Sequence, residues 1–131
     1  MYSYSQFGED VFISQQFDEN YKGICIDIGA TDGIWYNNTF HFEKNGWKSI
    51  CIEANPNMIP KLQQNRINVV NCAVGQFDND NVDFTVVTLD GENQTAISSL
   101  KVDERLLESH MYLNPEISKN ELLTYISKRK K

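Results

Sequence analysis

Residues 22–39, KGICIDIGATDGIWYNNT, constrain this chain more than any other stretch. Ile24, Cys25, Ile26 and Ile28 form a short apolar run interrupted by one acid, Asp27. A run that short, bounded by glycine, reads as a buried strand. A tight turn follows, Gly29-Ala30-Thr31-Asp32-Gly33, and then Asn37, Asn38 and Thr39, residue types that open helices. Strand, glycine turn and helix is the architecture of a nucleotide-cofactor site in an α/β sheet. The strand delivers backbone to a crevice, and glycine lets a ligand approach without meeting a Cβ.

The charges narrow the ligand. A dinucleotide fingerprint needs G-x-G-x-x-G, whereas this turn reads G-x-x-x-G. Asp27 and Asp32 place two carboxylates at the turn, where a pyrophosphate would meet like charge. A cofactor with a cationic end is favoured. S-adenosylmethionine (SAM) has an ammonium, a sulfonium and a ribose that wants a hydroxyl acceptor. Glu53 ends the next apolar run, 49–52, and lies 20 residues beyond Gly33, the offset of about 20 expected of a ribose-binding acid. Two other readings stay open. The glycines could serve packing alone, or the site could take a nicotinamide cofactor, against which the missing fingerprint argues.

Along the chain, residues 5–17 read as a helix with Ser5 as N-cap. Strand 22–28 looks apolar enough to be covered on both faces. Helix 39–45 ends at Asn45-Gly46, strand 48–53 follows, and a helix capped by Asn57, with Pro60 in its first turn, runs to about 65. A strand at 68–72 completes the pattern, with the small Ala73 and Val74 at its carboxyl end, on the edge that would face an adenine. Alternating strands and helices imply a parallel sheet with right-handed crossovers, an α/β, Rossmann-like class. Residues 76–81 then form a polar turn. Asp78-Asn79-Asp80-Asn81 begins like a calcium loop, but Asp83 stands where the sixth-position glycine belongs. Residues 82–89 and 95–100 make a β-hairpin around Asp90-Gly91. Residues 103–111 and 115–127 read as helices, the second with Lys128, Arg129, Lys130 and Lys131 to complement its C-terminus.

With 131 residues, 40% apolar and 23% charged, the chain suits one soluble domain with a real core. A net charge of −6 disfavours nucleic acid as a general partner. No run is long enough to span a membrane, and MYSYSQFGED has neither the basic flank nor the apolar region of a signal peptide. Cys25, Cys51 and Cys72 fall one in each core strand without metal-binding spacing. They predict buried thiols in a reducing, cytoplasmic setting, with no metal site. His41, among aromatic residues, reads as structural.

Read in order, several blocks resemble the FkbM family of SAM-dependent methyltransferases. They are Ser5-Gln6-Phe7-Gly8-Glu9-Asp10, Asp27-Ile28-Gly29-Ala30-Thr31-Asp32-Gly33, Asn38-Thr39 and Phe42-Glu43-Lys44-Asn45-Gly46-Trp47. Cys51-Ile52-Glu53-Ala54-Asn55-Pro56, Asn65-Arg66 and Cys72-Ala73-Val74-Gly75 continue the likeness over about the first three-fifths of the chain. The family usually has Asn where Thr31 stands and Pro where Ala54 stands. The resemblance implies a class I methyltransferase sheet, SAM as cofactor, and methyl transfer to a hydroxyl of a sugar or small metabolite. It implies a cofactor site at Asp27, Gly29, Ala30, Asp32, Gly33, Asn38, Thr39, Glu53, Ala54, Ala73 and Val74, with Gln6 at its lip. It names no catalytic base.

In that family a fourth strand beside the first carries an I-D-x-E-G-like motif, and no such segment follows Leu100. The expectation is therefore a single SAM-binding domain over 1–131 whose sheet is truncated at its C-terminal side, as in a fragment of a longer protein. The alternatives are a homodimer or another partner covering the open edge of the first strand, or C-terminal segments that close the sheet differently. The alternative function is a truncated or degenerate SAM-binding module without catalysis.

Overall fold

The apolar runs around Ile26, Ile50 and Val69 become three parallel strands: β1 (Ile24–Ile28), β2 (Lys48–Glu53) and β3 (Val69–Asn71). The computed structural model describes residues 2–76, 78, 82–89, 92–93 and 126–130. The chain divides into two compact units, Met1–Cys72 and Ala73–Lys131. The parallel sheet lies in the first, with strand order β1-β2-β3. Register runs from Ile24 opposite Lys48 to Ile28 opposite Ile52, and Cys51 to Glu53 lie opposite Val69 to Asn71.

Three helices precede or link these strands: α1 (Glu9–Ser14), α2 (Phe40–Lys44) and α3 (Ile59–Asn65). Successive right-handed crossovers in one direction put α2 and α3 on the same face of the sheet. Ser49 on that face donates to Glu43 of α2, and Cys51 packs with Leu62 of α3 and with Ala30. Cys51 and Leu62 are fully buried. At the strands' N-terminal end, Trp47 packs edge-on against Phe17 and Tyr21, and Phe42 is buried beside it. Phe42 of α2 thus serves the core there.

The opposite face departs from expectation. Ile24, Ile26 and Ile28 are 67%, 62% and 64% exposed, so β1 is covered on one face and not on both. Both crossover helices, α2 and α3, land on the other side. The edge of β1 is open as well, since among the described residues β1 pairs only with β2. Lys48 N–H donates to Gly23 O at 3.0 Å and Gly29 N–H to Ile52 O at 2.8 Å. The alternation of a parallel ladder then turns the N–H and C=O of Ile24, Ile26 and Ile28 away from β2.

Several boundaries also move. The first helix is Glu9–Ser14, not 5–17, because Gly8 sits at its N-cap in the left-handed region with φ 85°. Ser5 still helps to cap, since its Oγ accepts from Asp10 N–H at 2.8 Å. Met58, not Asn57, occupies the N-cap of α3, where Pro60 lies in the first turn. The third strand stops at Asn71, which leaves Cys72 beyond it and half-buried.

The second unit contains β4 (Asp83–Leu89), β5 (Glu92–Asn93) and β6 (Ile126–Lys130), in the order β5-β4-β6. Phe84 and Val86 on β4 are buried, as their alternation predicts. Thr88 pairs with Asn93 and Leu89 with Glu92, so the return strand begins at 92 rather than 95. Residues 126–130 pair antiparallel with β4, Val87 opposite Ile126 and Asp83 opposite Lys130. The helix expected over 115–127 therefore does not reach its end, and the basic residues 128–130 belong to a strand. The helix expected over 103–111, the return strand beyond 93 and residues 79–81 of the calcium-like turn lie outside the described residues.

Candidate functional site

At the carboxyl end of β1 the chain turns through residues 29–33, and β2 holds the start of that turn. Gly29 N–H and Ala30 N–H both donate to Ile52 O, at 2.8 and 3.2 Å. Thr31 N–H donates to Glu53 Oε2 at 2.8 Å, and Glu53 Oε1 accepts from Asn55 N–H at 2.8 Å. Glu53 is 6% exposed. One buried carboxylate thus ties the end of β2 to the turn, and each of its oxygens keeps a second lone pair. Glu53 stands at this edge as its offset from the glycines suggests.

The two glycines of the turn differ. Both have positive φ, 79° at Gly29 and 83° at Gly33. A Cβ on Gly29 would meet nothing within 4 Å. A Cβ on Gly33 would lie 2.6 Å from Arg66 Cγ and 2.7 Å from Leu62 Cδ1. Gly29 therefore opens the turn outward, whereas Gly33 is glycine so that α3 can pack behind it. The ligand-approach reading suits Gly29 and the packing reading suits Gly33.

Asp32 is buried and closes a local turn, its Oδ1 accepting from Ile34 N–H at 2.9 Å and Trp35 N–H at 3.0 Å. Asp27 points to the helix-covered face. Its Oδ2 accepts from Thr39 Oγ1 at 2.6 Å and Asn37 Nδ2 at 2.8 Å, with Arg66 Nη1 3.7 Å away. Asp27 and Thr39 thus meet each other, and Asn37, buried beside them, caps α2 by accepting from Phe40 N–H at 2.8 Å. Ala30 is buried, Ala54 half-buried, and Asn38 and Gln6 exposed. Ala73, half-buried, and Val74, 55% exposed, begin the second unit.

Sequence reasoning gave no role to two residues that the structure makes central, Arg66 and Asn65. It placed Asp10 only early in the first helix and, by the family resemblance, beside Gln6 at the lip of the site. Arg66 is fully buried and donates to Glu43, Gly33, Asn37 and Thr39. Asn65 donates to Asp32 O. Asp10 is also fully buried. It accepts from Ser3 Oγ at 2.6 Å, Tyr4 N–H at 2.8 Å and Val11 N–H at 2.8 Å. Burial pushes its carboxyl up, but the hydrogen bonds from Ser3, Ser5, Tyr4 and Val11 outweigh that and bring it down to about 2. The segment it clamps reaches the site, because Asn37 N–H donates to Tyr4 O at 3.0 Å. No local pattern marks an arginine after a helix as the mate of acids on a strand and another helix. Asp10 stood in a quoted motif, but its partners Ser3 and Tyr4 lie outside that motif.

The thiols do not belong to this chemistry. Burial pushes Cys51 up to about 11 and raises Cys25 as well. All three cysteines are free. Among the described residues no group of three or more His, Cys, Asp or Glu is arranged to hold a metal ion, and no helix is long and apolar enough to cross a membrane.

A sequence model of the methyltransferase FkbM domain matches residues 27–126, from Asp27 on β1 through the second unit to the start of β6. The chain belongs to the FkbM methyltransferase family. No curated protein and no solved structure matches it. For an FkbM domain, the three-stranded parallel sheet with its glycine turn is consistent with a Rossmann-like methyltransferase fold.

Proposed function

We propose that this FkbM domain binds SAM at the turn 29–33 and belongs to an O-methyltransferase acting on a hydroxyl of a sugar or small metabolite. The observation that carries the reading is the outward-facing Gly29, with open space where a Cβ would stand, beside the buried carboxylate of Glu53. That pairing suits a nucleoside pressed against backbone with its ribose hydroxyls directed at an acid. When bound, SAM supplies an electrophilic methyl group on a sulfonium.

The chain's own residues then have separable roles. Gly29, Ala30 and Thr31 form the floor of the site, and Glu53 accepts from ribose hydroxyls while holding Thr31. Asp32 shapes the turn and adds negative charge that favours a cationic ligand over a pyrophosphate. Gln6, Asn38, Ala54, Ala73 and Val74 remain proposed cofactor neighbours on the family resemblance. Asp27 and Thr39 act behind the site by fixing the start of α2. No general base is assigned. A reducing, cytoplasmic setting suits the three free thiols, and a second copy or another chain is proposed to cover β1.

A second reading, donor binding without catalysis, is favoured by the open edge of β1, because the crevice of such sheets forms where strand order reverses beside that strand. Isothermal titration separates the readings. Saturable uptake of SAM, and none of NAD, is expected of the folded protein. Absence of SAM uptake would overturn the proposal. Methyl transfer from labelled SAM to a panel of sugars then decides between catalysis and binding alone.

A further inference from the structure

The turn that floors the site is conformationally expensive. Gly29, Thr31, Gly33 and Tyr36 all have positive φ, at 79°, 51°, 83° and 51°. Two of these are bulky residues that rarely adopt that region. Such a segment persists only where its surroundings over-determine it. Its first half is fixed by β2 through Ile52 O and Glu53. What fixes its second half is a pair of neighbours at the end of α3. Asn65 Nδ2 donates to Asp32 O at 2.7 Å, and Arg66 Nη1 donates to the next carbonyl, Gly33 O, at 3.0 Å.

Arg66 does more than hold one carbonyl. Nη1 also reaches Asn37 Oδ1 at 3.1 Å, Nη2 reaches Thr39 Oγ1 at 2.9 Å, and Nε reaches Glu43 Oε2 at 3.0 Å. Its side chain is wholly buried, and Asp27 and Glu43 supply the balancing charge. The planar fork thus joins the far end of the turn to the first residues of α2. Only a guanidinium has enough fixed donors for that set of acceptors. Its stem occupies the space that the missing Cβ of Gly33 leaves open.

We infer that Asn65 and Arg66 are positioning residues of the methyl-donor site, holding the turn in its binding shape before any ligand arrives. They touch no ligand in this role. The inference rests on the donor reading of the turn, and preorganisation is the physical gain.

Amide hydrogen exchange on the ligand-free protein tests it. Arg66→Lys keeps the positive charge beside Asp27 and Glu43 but cannot span the acceptors. Asn65→Ala removes one side-chain bond at a half-buried position and keeps the fold if the lysine variant does not. Either variant is expected to exchange the amides of residues 33–37 about tenfold faster, the scale of one or two lost hydrogen bonds, while β2 amides stay at the wild-type rate. For Asn65→Ala, SAM affinity is expected to fall by about the same factor, with little change in Tm. Wild-type exchange in the turn would overturn the inference, as would equal acceleration in β2, which marks a global stability effect. Exchange is read without ligand, so failure of the wild-type protein to take up SAM would count against the donor reading alone.

Discussion

Thr31 carries a β-branched side chain at φ 51°, a backbone region in which asparagine and glycine are tolerated far better. Its N–H is fixed on Glu53, so the residue cannot relax without releasing the acid at the heart of the site. Thr31→Asn, the residue usual in the FkbM family, is expected to raise stability by about 1 kcal/mol, read as a higher urea midpoint at unchanged slope. A lower midpoint would mean that the threonine side chain makes a compensating contact. The neighbouring glycines show how far sequence reading reaches at this scale. Both stood out, and both need positive φ. Which one faces outward depends on Leu62 and Arg66, some thirty positions away in the chain and close only after α3 has docked.

At the scale of elements, β2 was legible to the residue, because the short apolar run Ile50-Cys51-Ile52, closed by Glu53, leaves little choice. The first helix was not. Its apolar spacing extends through residues 5–17, but left-handed Gly8 and the buried Asp10 convert residues 3–8 into a clamped segment joined to the site through Tyr4. That clamp titrates. The carboxyl of Asp10 sits at about 2 in the folded protein, against an ordinary 3.8. A depressed value adds stability above the ordinary value and loses it as pH falls toward the folded one. The contribution is roughly 2 kcal/mol at neutral pH, fading between about pH 4 and pH 2. Asp10→Asn is expected to lower Tm at pH 7 and to flatten the dependence of Tm on pH across that window. An undiminished slope in the variant would assign the acid sensitivity to other carboxylates.

For the molecule as a whole, the sequence carried the parallel βαβαβ unit because a helix links each of its strands to the next. It carried the C-terminal part less well. β6 pairs with β4 across some forty residues, and residues 126–130, rich in Lys and Arg, have little strand propensity of their own. Coverage of β1 was also misjudged, since an apolar run signals burial without saying which chain provides it. Ile24, Ile26 and Ile28, flanked across the sheet by Ile50 and Ile52, form the open face. An exposed patch of that kind on a free edge favours association. The protein is expected to bind a fluorescent apolar dye and to sediment as more than a monomer at micromolar concentration. Ile26→Lys is expected to reduce both. A wild-type monomer with no more dye fluorescence than Ile26→Lys would contradict this.

The same three isoleucines present unpaired amides along the rim and bare side chains on the flat. A short peptide laid on the rim would leave the side chains wet, and a greasy small molecule on the flat would leave the amides unanswered. Only a strand continuing into a covering layer meets both needs together. The companion proposed above to cover β1 would therefore have to be a folded one, since a fragment could meet only one of the two needs.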